Sequence, residues 1–211
     1  KANNYLVVKR SDVLQWITED TFNICISGTH GKTTITTMVA HILRYSEYGC
    51  MAFLGGISAN YNTNFWSIGN ASTVVVEADE YDRSFLKLFP NIAVITAMDA
   101  DHLDIYGTAE EVEKAFIQFA NQIKADGCLI TKYELKRNND LKAAHKFTYS
   151  LNNNKADVYA TDIKISEGSY TFHVQHANWQ LHNVPLHTGG LYNIENAVAA
   201  ITIAKYLGID D

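Results

Sequence analysis

Apolar and polar positions follow two different periods over residues 21–46. Residues 21–27, TFNICIS, alternate with a period of two and are rich in β-forming residues, which predicts a strand. Residues 32–46 have their apolar positions three and four apart, which predicts a helix. The glycines of GTHG, residues 28–31, stand between these two patterns. A tight loop is therefore predicted between a strand and a helix.

Four further apolar runs predict strands, at residues 50–56, 72–79, 91–99 and 127–132. The run STVVVEAD, residues 72–79, is continuous, as is typical of a strand covered on both faces. Residues 108–123 predict a helix, because Thr108 suits an N-cap and acidic residues fill the first turn. The alternation predicts an α/β fold of the P-loop type, a doubly wound, mostly parallel sheet with helices on both faces.

The pattern changes near residue 150. Residues 151–190 alternate around a turn at Gly168–Ser169, which predicts antiparallel β-hairpins packed beside the main sheet. Residues 191–208 predict a closing helix that stops at Gly208. No element is predicted for residues 1–20, which are interpreted as a lead-in segment.

Composition narrows the classes of protein. Lys and Arg number 17 and Asp and Glu 23, so the net charge is −6 and a nucleic-acid partner is not expected. No apolar run approaches a membrane helix of ~20 residues, so no membrane association is expected. The three cysteines form no CxxC pair, which argues against disulfides and thiolate metal sites and favours a reducing compartment.

The loop GTHGKTT, residues 28–34, is two residues shorter than the common phosphate loop G-x-x-x-x-G-K-[ST]. Gly28 and Gly31 permit backbone N–H groups to converge on an anion, and the helix N-terminus adds positive charge. Lys32 supplies a charge for phosphates, the Thr33 hydroxyl can bind Mg²⁺, and the Thr34 hydroxyl can hold a phosphate oxygen. We predict a nucleotide-phosphate site here rather than a plain tight turn. His30 either touches phosphate or fills space.

Acidic residues follow two of the predicted strands. Glu77 comes directly after three valines, where a magnesium-binding carboxylate belongs, and Asp79, Glu80 and Asp82 add negative charge. The alternative is a solvated acidic loop. At the end of the next strand, His102 is predicted to bind a second Mg²⁺ or Mn²⁺, or a water molecule.

The surroundings of this histidine are acidic as well. Asp101 or Asp104 would orient His102, although a lone loop histidine can also be structural. His182 and His187 are predicted to lie at the surface, near the end of a hairpin. Asp99 lies at the same strand end as His102.

Asn193 and Asn196 are three residues apart and therefore share one face of the last helix. Two amides there can hydrogen-bond to an adenine edge or cap the helix. For Asn193, chemistry alone favours capping.

Together these stretches resemble the Mur ligase family, the ATP-dependent amino-acid ligases of peptidoglycan synthesis. GTHGKTT resembles the shortened phosphate loop of the family, EADEYD its acidic strand end, and DADHLDIYG its histidine loop. Residues 189–209, GGLYNIENAVAAITIAKYLGI, resemble its adenine-side helix. The resemblance covers nearly the whole chain and implies that residues 1–211 are the central ATP-binding domain.

The resemblance implies a role for each matched residue. Lys32, Glu77 and His102 form the catalytic set, and Thr33, Glu77 and His102 hold the metal ions. Gly55 and Gly56 would face the uridine-linked sugar substrate. The implied nucleotide-binding residues are Gly28, Thr29, His30, Gly31, Lys32, Thr33, Thr34, Asn193 and Asn196. Adenine contact by the two asparagines reverses the preference for capping.

The resemblance also implies a reaction. His30 and EADE are most similar to the branch that joins L-alanine to UDP-N-acetylmuramate through an acyl phosphate, a step of cell-wall synthesis in the bacterial cytoplasm. The branch that attaches a recycled murein tripeptide is the first alternative. Less favoured are folylpolyglutamate synthase, a non-catalytic ATP-binding module and a structural metal-binding protein built on the His102 loop.

Two positions depart from the family pattern. Tyr192 stands where many members have histidine, at one of the contacts to the ligand. Phe116 and Ile117 stand where several members carry a carbamylated lysine, and Lys114 lies on another helical face, so we expect no modified lysine. The family also has an N-terminal UDP-binding domain and a C-terminal amino-acid domain, for which this sequence leaves no room. We therefore expect the 211-residue chain alone to bind Mg-ATP weakly and to ligate nothing.

Overall fold

The computed structural model of the protein describes residues 6–68 and 72–210. Its ten strands belong to a single sheet. The strands are β1 Phe22–Ser27, β2 Met51–Ser58, β3 Thr63–Ser67, β4 Thr73–Glu77, β5 Ile92–Ile95, β6 Cys128–Lys132, β7 His145–Ser150, β8 Val158–Ser166, β9 Ser169–His176 and β10 Gln180–Leu186. The α-helices are α1 Arg10–Glu19, α2 Lys32–Tyr45, α3 Leu103–Tyr106, α4 Ala109–Asn121 and α5 Leu191–Tyr206, with 3₁₀ turns at Tyr81–Lys87 and Asn138–Asp140.

The strand order is β10-β9-β8-β7-β6-β5-β1-β4-β2-β3. All neighbours from β8 to β2 in this order are parallel, whereas β10-β9-β8 and β2-β3 are antiparallel. The predicted doubly wound, mostly parallel α/β sheet is confirmed. The connection β1–α2–β2 crosses over β4, so the loop after β1 opens next to the end of β4.

The core lies on both faces of the sheet, which confirms the helices predicted there. Ile24 and Ile26 of β1 point to the side covered by α2 and α5. Cys25, between them, points to the side covered by α4 and the turn Tyr81–Lys87. This alternation along a fully buried strand explains why the central strands read as continuous apolar runs.

The antiparallel hairpins predicted for residues 151–190 are confirmed by the pairing of β8, β9 and β10, but they do not form a separate layer beside the main sheet. β8 pairs in parallel with β7 through Tyr149↔Val158 and Ser150↔Tyr159, so the hairpins extend the same sheet. The physical reason is β7, which was not predicted as a strand. Its backbone groups would otherwise form an open sheet edge, and pairing with β8 satisfies part of that edge.

The short helix α3 and two other elements were also missed, and one boundary was misplaced. The lead-in segment contains α1, whose Leu14 and Ile17 pack on the core while Val13 and Trp16 are exposed, so its apolar stripe is blurred. β3 follows β2 as the second strand of a hairpin. β2 was expected to close at its glycines, but it continues to Ser58 with a register shift after Phe53.

The two helix ends predicted by capping chemistry are confirmed. Thr108 caps α4, since its Oγ1 accepts a hydrogen bond from the Glu111 N–H at 3.3 Å. Gly208 follows α5 with φ of 75°, a left-handed conformation that suits glycine. Among residues 6–68 and 72–210, no helix is long and apolar enough to cross a lipid bilayer.

Candidate nucleotide-binding site

The predicted site residues meet at one edge of the sheet. β5, β1 and β4 are neighbours in the sheet and run parallel, so their carboxyl ends lie side by side. The GTHG loop follows β1, Glu77 ends β4, and the segment with Asp99 and His102 follows β5. Ligands of open α/β sheets bind at this edge.

The loop after β1 depends on its two glycines. Gly28 has φ of 118°, and a Cβ there would lie 2.2 Å from Thr96 Oγ1, so the loop fits closely against the end of β5. Gly31 has φ of 81° and is the N-cap of α2, without a side-chain cap. The first N–H groups of α2 therefore have no partner within the helix or from a capping side chain, and they are available to an anion.

Lys32 begins α2 and is mostly buried, with 17% of its side chain exposed. Its Nζ donates to Gly28 O at 2.9 Å and to the two carboxylate oxygens of Glu80 at 2.9 and 2.8 Å. The Glu80 side chain is only 1% exposed. The sequence pointed to Lys32 but gave Glu80 no role beyond its charge. The available signal was that a buried lysine needs a counter-charge.

Glu77 and Thr33 contact the neighbouring glycines Gly55 and Gly56 of β2. The Gly55 N–H donates to Glu77 Oε1 at 2.7 Å. A Cβ on Gly56 would contact the Thr33 methyl group at 3.4 Å. The Thr33 hydroxyl forms no hydrogen bond to the described residues. The Thr33 hydroxyl and the Glu77 carboxylate are the hard oxygen donors that Mg²⁺ prefers, so the chemistry of these two residues fits such an ion.

His102 is held by its own loop. Its backbone N–H donates to Asp101 Oδ1 at 2.8 Å, and its Nε2 lies 3.8 Å from Asp101 Oδ2. The Tyr81 ring meets the imidazole edge-on, with centroids 5.2 Å apart. Across the described residues, no hydrogen bond or ion pair joins His102 to Glu77 or Thr33, and no cluster of three or more His, Cys, Asp or Glu side chains forms a metal site. The expected three-residue metal set stays a prediction.

Asp99 connects the phosphate loop to the end of β5. Its Oδ2 accepts a hydrogen bond from the Thr29 hydroxyl at 3.3 Å and lies 3.4 Å from His30 Nε2. The Thr29 N–H donates to Ala97 O at 3.3 Å. His30 is thus directed to a carboxylate, and the Thr29 N–H is already used within the protein.

The paired asparagines bring α5 to the phosphate loop. Asn193 Nδ2 donates to Gly189 O at 2.6 Å, and Asn193 Oδ1 accepts from Asn196 Nδ2 at 3.2 Å. The oxygen of Asn196 lies where a Cβ on Gly31 would approach to 2.8 Å. Asn193 is buried and is not the N-cap of α5, which is Gly190. Asn193 therefore fixes the turn before α5, while the partly exposed Asn196 borders the loop.

A cavity of about 220 Å³ adjoins Glu77. Arg10 of α1 and the preceding Lys9 lie on one wall, and Asp79 and Asp82, which follow β4, lie on the other. The sequence prediction missed this wall because it missed α1. The cavity is therefore lined both by the acidic end of β4 and by the cations Lys9 and Arg10.

The described residues offer no activated cysteine. Cys25, Cys50 and Cys128 are free and buried. Burial raises the pKa of Cys50 to about 11 and that of Cys128 to about 12, and it raises the pKa of Cys25 further. A thiolate is therefore disfavoured at neutral pH.

Comparisons with known protein sequences agree on one family. The sequence model described as the Mur ligase middle domain matches residues 26–204. UDP-N-acetylmuramate–L-alanine ligase of Porphyromonas gingivalis is 45% identical over 210 residues, which are 99% of this chain and 46% of that protein. The Parabacteroides distasonis enzyme of the same name is 43% identical over 99% of this chain and 45% of its own length. The chain thus spans about half the length of these curated relatives.

Solved structures show the same fold. UDP-N-acetylmuramate–alanine ligase of Thermotoga maritima has a TM-score of 0.78 at 28% identity and covers 95% of this chain and 44% of that one. The UDP-N-acetylmuramate:L-alanyl-γ-D-glutamyl-meso-diaminopimelate ligase of Neisseria meningitides has a TM-score of 0.79 at 22% identity, over 98% of this chain and 74% of its own. At that identity the second likeness concerns the fold alone.

Proposed function

The chain belongs to the Mur ligase family, whose middle domain it matches, and we propose on this premise that it is the ATP-binding part of an enzyme that joins L-alanine to UDP-N-acetylmuramate. The observation that carries the proposal is the short loop after β1, where the uncapped start of α2 and the Lys32 ammonium face the same edge of the sheet. Such a helix start binds phosphate groups. The names of the relatives at 45% and 43% identity supply the two substrates.

The alanine-adding reaction is favoured over tripeptide recycling by sequence identity. The two relatives reported above that carry the alanine name are 45% and 43% identical over 99% of the chain. Among the solved structures, the alanine ligase of Thermotoga is 28% identical and the tripeptide ligase of Neisseria is 22% identical. A peptidoglycan precursor enzyme of this kind works in the bacterial cytoplasm, where ATP and the sugar nucleotide are made.

In the proposed reaction, the carboxylate of UDP-N-acetylmuramate attacks the γ-phosphorus of ATP, which forms an acyl phosphate and releases ADP. The amino group of L-alanine then attacks the acyl carbon, and phosphate leaves from a tetrahedral intermediate. Neither step uses a protein nucleophile. The chain therefore contributes position and charge, which are the main sources of catalysis in phosphoryl transfer.

The residues of the loop divide these tasks. The N–H groups at the start of α2 and the Lys32 ammonium hold the β- and γ-phosphates, and the Thr34 hydroxyl binds a phosphate oxygen. Thr33 and Glu77 would hold Mg²⁺, with His102 as the ligand of a second ion. Bound magnesium would supply positive charge against the transferring phosphoryl group. Asn196, beside Gly31, contacts the adenine edge.

The test of this function is ADP release by the protein at the full length of its relatives, assayed with UDP-N-acetylmuramate. We expect ADP release to depend on L-alanine. Release that requires the tripeptide instead supports the recycling reaction. Mg-ATP binding without ADP release under either condition identifies a non-catalytic nucleotide module.

The loop itself is tested by binding. Lys32→Met alone leaves the buried Glu80 unpaired, which costs ~3–5 kcal/mol of stability, so Lys32→Met is combined with Glu80→Gln. We expect the double variant to bind Mg-ATP at least about tenfold more weakly, a loss of ~1.4 kcal/mol, in isothermal titration calorimetry. Lys87→Met is the matched control, because Lys87 also pairs with a carboxylate, that of Asp12 on α1. We expect this variant to bind Mg-ATP with wild-type affinity. Unchanged affinity of the double variant would remove the phosphate-loop assignment.

A further inference from the structure

The ammonium of Lys32 is fully used within the protein. Its three acceptors are Gly28 O and both oxygens of the Glu80 carboxylate, all within 2.9 Å. An ammonium group has three hydrogens to donate. A phosphate that reaches the loop must therefore take Lys32 from Glu80 or share it.

Glu80 is fixed in this position from behind. Its backbone carbonyl accepts a hydrogen bond from the Tyr106 hydroxyl at 2.6 Å, and Tyr106 is buried. Burial raises the pKa of Tyr106 to about 12, so the hydroxyl remains a donor at neutral pH. Tyr106 is also the last residue of α3, which starts directly after His102. The Glu80 backbone, from which the carboxylate projects, is therefore anchored to the segment that carries the predicted histidine ligand.

Once a phosphate draws Lys32 away, the charge of Glu80 is no longer balanced. Across the described residues, Lys32 is the only cation paired with this carboxylate. A buried carboxylate next to an anionic phosphate is unfavourable, because both charges are poorly solvated there. A divalent cation bound with the phosphates removes that cost.

We propose that Glu80 is a positioning residue that holds Lys32 while the nucleotide is absent and makes ATP binding depend on Mg²⁺. This inference rests on the proposed function of the loop. It assigns Glu80 no contact with the reacting atoms. The carboxylate acts through Lys32, which it releases to the phosphates when magnesium arrives with them.

The test compares ATP affinity in EDTA with that in excess Mg²⁺ for the wild type, Glu80→Gln and Glu80→Ser, by isothermal titration calorimetry. In EDTA, we expect both neutral variants to bind ATP at least about tenfold more tightly than the wild type, or ~1.4 kcal/mol. The gain in affinity on adding Mg²⁺ should shrink by the same factor. Two neutral side chains are used so that the result does not depend on the folding of one variant.

Asp82→Asn is the matched control. Asp82 lies two residues from Glu80 and carries the same charge, but it is exposed and paired with Lys9. We expect its removal to change Mg-free affinity less than about twofold, because exposed charges are screened. If Asp82→Asn changed the Mg-free affinity as much as Glu80→Gln, the effect would come from the overall negative charge near the loop, and the proposal would be overturned.

Two results separate this inference from the function on which it rests. If the wild type binds Mg-ATP and the Glu80 variants keep the wild-type Mg²⁺ dependence, the inference is wrong and the phosphate site stands. If neither the wild type nor the variants bind ATP with Mg²⁺, both the function and the inference fail.

Discussion

At the scale of single residues, Gly55 matters to the candidate metal site because any side chain there would collide with Glu77. A Cβ at this position would lie 2.4 Å from one Glu77 carboxylate oxygen and 2.6 Å from the other. Its N–H also donates to that carboxylate. Glycine is therefore used here for close approach, since no left-handed backbone requires it.

Gly55→Ala should displace the Glu77 carboxylate. We expect the Mg²⁺-dependent gain in ATP affinity to fall by about tenfold, or ~1.4 kcal/mol, in a magnesium titration at fixed ATP. Gly56→Ala is the matched control, since its Cβ would make only an ordinary contact of 3.4 Å with Thr33. Equal effects of the two substitutions would contradict a role for Glu77 in holding the ion.

The sequence predicted which residues reach the site better than it predicted their partners. Lys32 and Glu77 stand at a helix start and a strand end, and those positions follow from local pattern alone. The contact between Lys32 and Glu80 joins residues 48 positions apart. It depends on the order β1-β4 in the sheet, which no local period encodes.

At the scale of elements, α4 is tied to the chain after β6 by one buried carboxylate. Glu113 is 7% exposed, and it pairs with Lys136 and, at 3.2 Å, with Arg137. These partners lower the pKa of Glu113 below its ordinary value of 4.5, with the Lys136 hydrogen bond as the largest cause. A lowered pKa stabilises the folded state above that value, and the contribution is lost as the pH falls through the folded pKa.

Glu113→Gln should therefore reduce the free energy of unfolding by ~1–2 kcal/mol at pH 7. The difference from the wild type should narrow as the pH drops below 4.5, in urea unfolding at a series of pH values. Glu110→Gln, an exposed position in the first turn of the same helix, should change little. A difference that is independent of pH would indicate lost packing instead of lost charge.

The elements recovered from the sequence are those with a strong period. α4 buries Val112, Phe116 and Phe119 on one side and carries its cap in sequence, so both its type and its start were predicted. α1 was missed because Val13 and Trp16 face outward beside inward Leu14 and Ile17. β7 was missed because polar residues interrupt its apolar positions. This composition agrees with its exposure, since only its last two residues are buried.

At the scale of the whole molecule, charge works against the approach of a nucleotide. The chain carries a net charge of −6, and the edge of the sheet that holds the loop also holds Glu77, Asp79, Asp99 and Asp101. The Lys32 ammonium is already neutralised by Glu80. We therefore expect a highly charged anion to be repelled before it reaches the helix N-terminus.

Added salt should then speed the association of Mg-free ATP. We expect the association rate constant to rise between ionic strengths of about 0.01 and 0.15 M, as the Debye length falls from ~30 to ~8 Å. Stopped-flow measurements with a fluorescent ATP analogue follow this rate, and the corresponding uncharged nucleoside should show no such change. A rate constant that falls with added salt would mean that the attraction of ATP to the loop is stronger than its repulsion by the acidic residues.

The close approach of Asn196 to Gly31 fixes the distance between α5 and the start of α2. It joins α5 to the start of α2 through the protein itself, because the Asn196 amide oxygen lies 2.8 Å from the position that a Cβ on Gly31 would take. In the proposed function, the distance between the adenine contact at Asn196 and the phosphate-binding start of α2 is therefore set before any ligand arrives. The two helices would then select for the length of the nucleotide, and a nucleotide with fewer phosphates would contact only one of them.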